Sequence, residues 1–400
     1  MQDIYRREPN YERELKRLES GNISQENKEH ILKYHKHLFS DGVSKNRVIK
    51  VSGELRRIAI LLKKDFLNTN EEDLRTLIVD VNKLQGIRNG CPLSEMTKVD
   101  YKKTIKRFYK WLEGNNRRYP EKVDWIRGKE KVNGKEGMDI LTPKDIKKAI
   151  SCCVTPRDKA LVSLLYEGGF RIGEILGMKI RDFKNEQKYG KVRVTGKTGP
   201  REVLIVQSIP YLNQYLSFHP SRDNPESYFW LKKSDSVLPE RLMYCGARAL
   251  IQRLFNRAGI SKKRLYLHLF RHSRATELAK YLTEAQMKAY FGWTQGSNMA
   301  SVYVHLSGRD IDSSMLGYYG LSSLQRSKER VSKNVNCSRC NTLNPANSKF
   351  CSQCGLVLEL EEFIGTENEI QEKDLDNSQL FMRIAKNPKL RHAIEILEQN

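Results

Sequence analysis

The sequence predicts a mainly α-helical protein with one small β-sheet, divided into two larger domains and a short cysteine-rich module. Its 400 residues exceed what a single hydrophobic core usually supports. Apolar side chains recur at helical spacing through most of the chain, whereas the alternation typical of strands is clear only at residues 191–206. The 39% apolar residues suffice for packed cores, yet no stretch approaches the roughly 18 consecutive apolar residues of a membrane span.

Residues 24–112 are predicted to form four helices of an N-terminal domain. Ser24 and Ser44 are suited to cap the first two helices, and Thr69–Glu72 has the pattern of a capping box for the third. The second and fourth helices carry the clearest apolar stripes, formed by Val48, Val51, Leu55, Ile58 and Leu62 and by Tyr101, Ile105, Phe108 and Leu112. The basic residues around the fourth helix are equally consistent with a solvated face and with DNA contact. This domain spans residues 1–114, and residues 115–140, rich in Lys, Glu and Gly, predict a linker.

A second domain is predicted for residues 141–325. Thr142 and Pro143 suit the N-cap and first position of a helix, and Lys159–Tyr166 has the composition of a buried helix. A β-hairpin with its turn at Gly196–Pro200 is indicated by alternating apolar residues, namely Val192 and Val194 before the turn and Val203, Ile205 and Val206 after it. Helical patterns then continue from about Pro239 to Leu316, and residues 322–336 are polar and basic like a second linker.

The charge distribution points to an anionic partner. Lys and Arg total 71 against 48 Asp and Glu, which gives a net charge of +23. An excess of this size favours a polyanion or an acidic membrane surface as partner. Residues 356–400 hold five basic and ten acidic side chains, so they predict an acidic tail, and the anion-binding part precedes it. The charged N-terminus lacks the apolar run of a secretory signal, which predicts an unexported, cytoplasmic protein.

Four positions carry side chains suited to a phosphodiester. Arg171 follows a Gly-Gly pair at the end of an apolar helix, where its guanidinium could hold two phosphate oxygens; a surface salt bridge is the plainer alternative. His268 and Arg271 have the i, i+3 spacing that places both on one helix face. Tyr303 lies on an otherwise apolar turn, where a tyrosine of the core is the ordinary interpretation.

The order of these motifs resembles the tyrosine recombinase (phage integrase) family. Gly-Phe-Arg-Ile-Gly-Glu-Ile-Leu at residues 169–176, a lysine in the β-turn, His-x-x-Arg-His, Gly-Trp and a late tyrosine follow one another as in that family. The resemblance covers roughly residues 141–320, and the preceding helical region is similar to the family's core-binding domain. It implies a helical core-binding domain, an α/β catalytic domain and six catalytic positions, filled here by Arg171, Lys197, His268, Arg271, Trp293 and Tyr303.

The resemblance also implies the chemistry of the site. Tyr303 would attack a DNA phosphorus and form a 3′-phosphotyrosine, while Arg171 and Arg271 hold the non-bridging oxygens. His268 would hold the same oxygens and help the tyrosine lose its proton, and Lys197 would protonate the leaving 5′-oxygen. The phosphotyrosine keeps the bond energy, so rejoining needs neither ATP nor a catalytic cofactor.

The implied function is site-specific recombination by an integrase. Its partner would be double-stranded DNA, and the protein would act in the cytoplasm, with the nucleoid. The resemblance implies a homo-oligomer, a tetramer on DNA in this family, and no membrane partner. Two alternatives remain: a type IB topoisomerase-like enzyme that relaxes DNA, and a DNA-binding regulator that keeps the fold without catalysis.

Neighbouring residues affect these assignments. Glu174 is expected to orient Arg171 or to pair locally, and His272 is expected to be a buried helper bonded to backbone. Arg193 and Arg201 are alternatives to Lys197 as the cation of the hairpin. The alternatives to Tyr303 as nucleophile are Tyr290, Tyr318 and Tyr319.

Two C-x-x-C motifs separated by ten residues predict a zinc ribbon at residues 337–355. The expected ligands of a structural Zn²⁺ are Cys337, Cys340, Cys351 and Cys354. A pair of disulfides is the alternative. Because so short a module has no room for a hydrophobic core, the metal would supply most of its folding energy. The other cysteines are predicted to be buried thiols, namely Cys91, Cys152, Cys153 and Cys245.

Overall fold

A computed structural model of the chain describes residues 3–86, 90–114, 118–128, 140–186, 189–232, 240–260, 266–306, 319, 334–346, 348–356 and 358. The chain divides into two compact units, one of residues 1–138 with 243–245 and one of residues 139–242 with 246–400. The predictions for Pro239, for Tyr318 and for nearly all of the acidic tail lie outside the described residues.

The first unit is helical throughout its described part. It contains α1 (Arg7–Glu19), α2 (Gln25–Ser40), α3 (Lys45–Leu62), a 3₁₀ turn (Phe66–Asn68), α4 (Glu71–Lys83), α5 (Glu95–Leu112) and α6 (Glu121–Asp124). Ser24 caps α2 as predicted, accepting a hydrogen bond from the Asn27 amide at 3.2 Å. The capping box of α4 is formed by Asn70 and Asp73, one residue later than predicted, because the Thr69 hydroxyl donates to the Asp65 carbonyl instead.

The core of the first unit extends into the segment predicted to be a linker. The apolar stripe of α5 is buried as expected, with Ile105 and Phe108 fully enclosed. Val123 and Ile126 are buried in the same core, so residues 118–128 belong to the helical unit. The linker prediction for residues 115–140 is corrected over this stretch, because Val123 and Ile126, with the partly buried Trp125, pack on the core of the helical unit.

The second unit combines helices with a three-stranded antiparallel sheet. Its helices are α7 (Pro143–Ser151), α8 (Pro156–Gly168), α9 (Ile172–Leu176), α10 (Ile209–Ser217), α11 (Tyr244–Arg257, whose first two residues belong to the first unit), α12 (Leu269–Leu278), α13 (Glu284–Phe291) and α14 (Met299–Leu306), with a 3₁₀ turn at Ile180–Asp182. The strands are β1 (Phe183–Asn185), β2 (Gly190–Gly196) and β3 (Gly199–Ile205) in the order β1-β2-β3. The short strands β4 (Val335–Asn336) and β5 (Leu343–Asn344) pair with each other.

Local sequence patterns explain these elements well. Thr142 caps α7 in a capping box with Asp145, and α8 is almost wholly buried, as predicted for residues 159–166. The predicted hairpin is β2 and β3, joined at Lys197 and Thr198, with Gly196 opposite Gly199. Its alternating valines face the core, as a half-buried strand requires.

The mainly α-helical class with a small antiparallel sheet is confirmed. Among the described residues, no helix has both the length and the apolar character needed to span a membrane. The prediction of buried thiols is right for Cys153 but wrong for Cys91 and Cys245, which are exposed, while Cys152 is intermediate.

Candidate active site

Arg171 lies between α8 and α9, where two glycines let the chain turn beside α13. Gly169 adopts φ +56°, and a Cβ there would lie only 2.6 Å from the Phe291 ring, so this position requires glycine. The Glu174 carboxylate accepts a hydrogen bond from Arg171 Nη1 at 2.8 Å and another from the Arg171 amide at 2.9 Å. Glu174 therefore fixes both the backbone and the guanidinium of Arg171, as expected.

Arg271 is buried in α12, with 1% of its surface exposed. Its Nη1 donates to the Gly169 carbonyl at 3.1 Å, and its Nη2 donates to the Phe291 carbonyl. Burial and the charge of Arg171 lower the Arg271 pKa from 12.5 to about 9, so the group remains cationic at neutral pH. Within the described part of the chain, no carboxylate forms an ion pair with Arg271. This buried cation is therefore suited to an anionic ligand.

The C-terminal end of α13 organises three guanidiniums. Carbonyls at a helix C-terminus lack helical partners and carry the negative end of the helix dipole, so they attract cations. Gly292 ends α13 with φ +58°, which leaves the last carbonyls accessible. Three successive carbonyls accept from three arginines: Tyr290 from Arg201, Phe291 from Arg271 and Gly292 from Arg171.

The β-hairpin contacts the same helix end. Thr198 Oγ1 donates to the Gly292 carbonyl at 3.1 Å, so the exposed Lys197 beside it stands at the edge of the arginine cluster. Arg201 donates to both oxygens of Glu174, at 2.9 and 2.8 Å, and is thereby committed to an internal ion pair. Arg193 lies on the exposed face of the sheet. Of the three candidates on the hairpin, Lys197 is thus the one at the turn and facing solvent.

Tyr303 of α14 is buried beside this cluster, with 1% of its surface exposed. Its ring stacks on Trp293, with centroids 5.6 Å apart and planes within 1° of parallel. Burial raises the Tyr303 pKa from 10.0 to about 12, although the Arg271 charge acts in the opposite direction. The competing tyrosines are placed differently: the Tyr290 hydroxyl donates to the Glu167 carbonyl, and Tyr319 is 65% exposed.

His268, the N-cap of α12, and His272 within α12 form an aromatic pair, and His272 contacts Tyr303. The rings of His268 and His272 meet edge to face with centroids 4.7 Å apart. Enclosure, together with the fields of His272, Arg271 and Arg171, lowers the His268 pKa from 6.5 to about 4, even though part of this side chain is open to solvent. The Nδ1 atom of His272 is hydrogen-bonded to the Tyr303 hydroxyl, a side-chain contact that the expectation of a backbone partner did not include. The sequence pattern carries no signal for this contact.

The electrostatics of the cluster favour a phosphate. Burial alone would raise the Glu174 pKa, but hydrogen bonds and charge from Arg201 and Arg171 bring it from 4.5 down to about 2. Glu174 is therefore ionised and compensates part of the charge of two arginines, and Arg271 adds a further cation. A non-bridging phosphate oxygen, or the charge that develops on it during transfer, fits such a set of fixed donors.

A second group of reactive side chains lies at the end of the described chain. The Sγ atoms of four cysteines all fall within 4.8 Å of one another, in the set Cys337, Cys340, Cys351 and Cys354. Two of the sulfur pairs are 3.5 Å apart, close to the roughly 3.8 Å edge of a tetrahedron with Zn–S bonds of about 2.3 Å. These residues thus fit a metal ion of the Zn²⁺ type.

The two knuckles of this cluster have the same backbone geometry. Asn341 and Gly355, each just after a C-x-x-C motif, adopt φ +55° and +74°. The fully buried Asn344 joins the knuckles, since its Nδ2 donates to the Thr342 carbonyl and its Oδ1 accepts from the Ser352 amide at 2.8 Å. Asn344 was not identified from the sequence, because nothing in its local pattern distinguishes it from a turn residue.

Comparison with known proteins shows what this chain is similar to. Residues 139–309 match the model of the phage integrase family. This match and the similarity of the chain to proteins named as tyrosine recombinases support a tyrosine recombinase.

Individual relatives agree with this classification. The chain is 24% identical to Transposase A from transposon Tn554 of Staphylococcus aureus over 314 residues, which cover 70% of this chain and 82% of that protein. The XerH site-specific recombinase bound to palindromic difH substrate has a TM-score of 0.53 at 17% identity, covering 78% of this chain and 95% of its own. A lambda integrase tetramer bound to a Holliday junction has a TM-score of 0.53 at 15% identity, covering 71% and 78%. At these identities the solved structures establish a common fold.

Proposed function

We propose that the chain is a site-specific DNA recombinase that cuts and rejoins DNA through a 3′-phosphotyrosine intermediate. The observation that carries the proposal is the convergence of Arg171 and Arg271 on adjacent carbonyls at the end of α13, with Tyr303 stacked on Trp293 next to them. Fixed cations and a phenol grouped in this way suit attack on a phosphodiester. An integrase role in a mobile element is supported by the phage integrase domain and by the transposon-encoded relative.

Each proposed catalytic residue has its own task. Arg171 and Arg271 stabilise the charge that grows on the non-bridging oxygens. His268, at the N-cap of α12, binds the same phosphate. Lys197, at the hairpin turn, donates a proton to the departing 5′-oxygen. Tyr303 is the nucleophile, and its phosphodiester retains the bond energy, so that a 5′-hydroxyl can reverse the reaction without ATP.

The proposed partner is double-stranded DNA. The net charge of +23 supports a polyanionic ligand. A surface cleft of about 270 Å³ on the outer face of the sheet is lined by Arg181, Lys184, Lys191 and Arg193, together with Asp182, Thr195 and Glu202. Phosphate contacts of this kind make affinity fall steeply with salt concentration. Assembly as a tetramer on DNA is proposed from the lambda integrase tetramer that shares this fold.

The remaining parts of the chain have supporting roles. The first unit is proposed as the core-binding DNA domain and residues 141–325 as the catalytic domain. The cysteine cluster is proposed to bind one structural Zn²⁺, because four thiolates leave no open position for a substrate. The metal would then contribute to the folding of residues 337–355.

Covalent capture tests the recombinase proposal. The chain is incubated with a library of nicked duplexes from which the short cleaved fragment diffuses away, and adducts that survive SDS are sequenced. The wild type should form such adducts, and mass spectrometry should locate the DNA on Tyr303. Tyr303→Phe should still bind DNA but form no adduct, because phenylalanine lacks the attacking oxygen.

A matched variant controls for the loss of a tyrosine hydroxyl. Tyr319 is 65% exposed, whereas Tyr303 is buried, so Tyr319→Phe should form adducts at the wild-type rate. Adducts that persist in Tyr303→Phe would reject the assignment of the nucleophile. Adducts accompanied by plasmid relaxation, with no exchange between two duplexes, would instead identify a type IB topoisomerase-like activity.

A further inference from the structure

His272 contacts the oxygen that the proposed reaction uses as nucleophile. Its Nδ1 is hydrogen-bonded to the Tyr303 hydroxyl, and the two ring centroids are 5.9 Å apart. Because Tyr303 is 1% exposed, its hydroxyl proton is directed at this imidazole and not at bulk water. When the hydroxyl donates, Nδ1 is the acceptor and the hydrogen of the neutral ring is on Nε2, and this is the tautomer in which His272 can take up the phenolic proton.

We propose that His272 is the general base of strand cleavage, an inference that rests on the proposed recombinase function and deepens it. As the Tyr303 oxygen forms its bond to phosphorus, the phenolic proton passes to His272 Nδ1. The bond between phosphorus and the 5′-oxygen breaks, and that oxygen receives a proton from Lys197. On rejoining, the imidazolium returns its proton to the tyrosine as the attacking 5′-hydroxyl gives its own back to Lys197.

Tyr303 needs a base in direct contact. With a pKa of about 12, only about one phenol in 10⁵ is ionised at pH 7. His268 is less suited to the task, since in the described part of the chain it makes no hydrogen bond to Tyr303, and its pKa of about 4 makes it a weak base. Geometry therefore assigns proton transfer to His272 and leaves His268 to bind the phosphate.

The neighbours of His272 make this proton transfer depend on DNA. His268 packs against His272 along the same helix, Tyr266 faces it from the preceding loop with ring centroids 6.0 Å apart, and Tyr303 faces it from α14. Arg271 and Arg171 already act on the neighbouring His268, so an imidazolium at His272 would add a like charge to the same partly buried group. A phosphate bound by the arginines supplies the compensating negative charge. The free protein therefore keeps Tyr303 neutral and enclosed, and bound DNA makes the base effective.

The test compares His272→Gln with wild type in the suicide-substrate assay. Glutamine can still accept a hydrogen bond from Tyr303 but cannot take up a proton at neutral pH. Adduct formation at pH 7 should fall roughly 100-fold or more, the usual range for loss of a general base. Its rate should then rise about tenfold per pH unit between pH 7 and 9, as hydroxide replaces the base, whereas the wild-type rate levels off.

Two further comparisons identify the role of His272. His219 is a buried histidine outside the cluster, so His219→Gln should keep the wild-type rate and pH profile. A substrate with sulfur in place of the scissile 5′-oxygen has a leaving group that needs no proton. It should restore cleavage by Lys197→Ala but not by His272→Gln.

The outcomes separate the two proposals. Two results would overturn the role of His272 alone, provided that the wild type forms adducts. One is an unchanged rate in His272→Gln, and the other is a reduced rate in that variant with the wild-type pH profile. Rescue of His272→Gln by the sulfur substrate would also overturn it, since His272 would then act as the acid. Absence of adducts in the wild type would reject the recombinase function, and the base assignment with it.

Discussion

Replacing Glu174 by Gln is expected to weaken the second unit and the proposed active site together. Glu174 is 6% exposed, and its carboxylate accepts hydrogen bonds from two nitrogens of Arg201 and from the amide and guanidinium of Arg171, all at 2.8–2.9 Å. Burial alone would raise its pKa, yet these contacts bring it from 4.5 to about 2. At 1.36 kcal/mol per pKa unit, the ionised carboxylate contributes about 3 kcal/mol to the free energy of unfolding at pH 7.

The pH dependence identifies the origin of this contribution. Because the folded pKa of Glu174 is depressed, its stabilisation is complete above pH 4.5 and is lost as the pH falls towards 2. Glutamine does not titrate, so the difference between wild type and Glu174→Gln should shrink from about 3 kcal/mol at pH 7 to about 1 kcal/mol at pH 3. Urea unfolding of the full chain, followed by hydrogen exchange in peptides from α8 and β3, measures this difference within the second unit.

An exposed carboxylate provides the control. Glu226 also contacts two cations, Lys179 at 2.6 Å and Arg181, but it stands in solvent. Since exposed pairs contribute little, Glu226→Gln should leave the unfolding transition unchanged within error. Equal losses in the two variants, or a Glu174→Gln loss that is the same at both pH values, would refute the electrostatic reasoning. DNA cleavage by Glu174→Gln should also fall, by roughly 100-fold, because Arg171 loses its fixed orientation.

Two further predictions concern backbone packing and the cysteine cluster. Gly169→Ala should lower the free energy of unfolding by about 2 kcal/mol or more, since its Cβ would meet the Phe291 ring in a left-handed backbone. A Cβ at Gly296 would meet nothing within 4 Å, so Gly296→Ala should leave the free energy of unfolding unchanged. Equal melting temperatures of the two variants would contradict this reasoning. Native mass spectrometry should find one Zn²⁺ per chain and none in Cys351→Ser. A wild-type chain without metal would rule out the zinc ribbon.

Local signals in the sequence were enough for most of the fold. Capping residues such as Ser24 and Thr142 and the alternating valines of the hairpin act over a few residues, and the elements they predict are present. Errors arose where tertiary contacts decide. Val123 and Ile126 are too sparse to mark α6, yet both are buried by contact with helices far away in the sequence. Thr69 is displaced as a cap by its own bond to Asp65.

In the candidate site, too, local patterns predicted some features, whereas features that depend on tertiary contacts were missed. The residue types at Arg171, Arg271 and Tyr303 were identified from motifs and from family resemblance, and the structure brings them together. The hydrogen bonds that hold the arginines in place could not be predicted. The carbonyls of α13 bind guanidiniums from segments 20 to 121 residues away, and no short-range pattern encodes such pairings. The role of Arg201 and the partner of His272 depend on the same long-range packing.

Tyr303 is buried and protonated, whereas the cations around it are already charged and fixed in position. The guanidiniums of Arg171 and Arg271 are fixed by carbonyls and by Glu174, so they need little reorganisation when a phosphate arrives, which is the condition for effective electrostatic stabilisation. The phenol, by contrast, is enclosed by Trp293 and hydrogen-bonded to His272. Because burial keeps the phenol protonated, its reactivity in the proposed reaction depends on transfer of its proton to His272, whereas the cations need no such change.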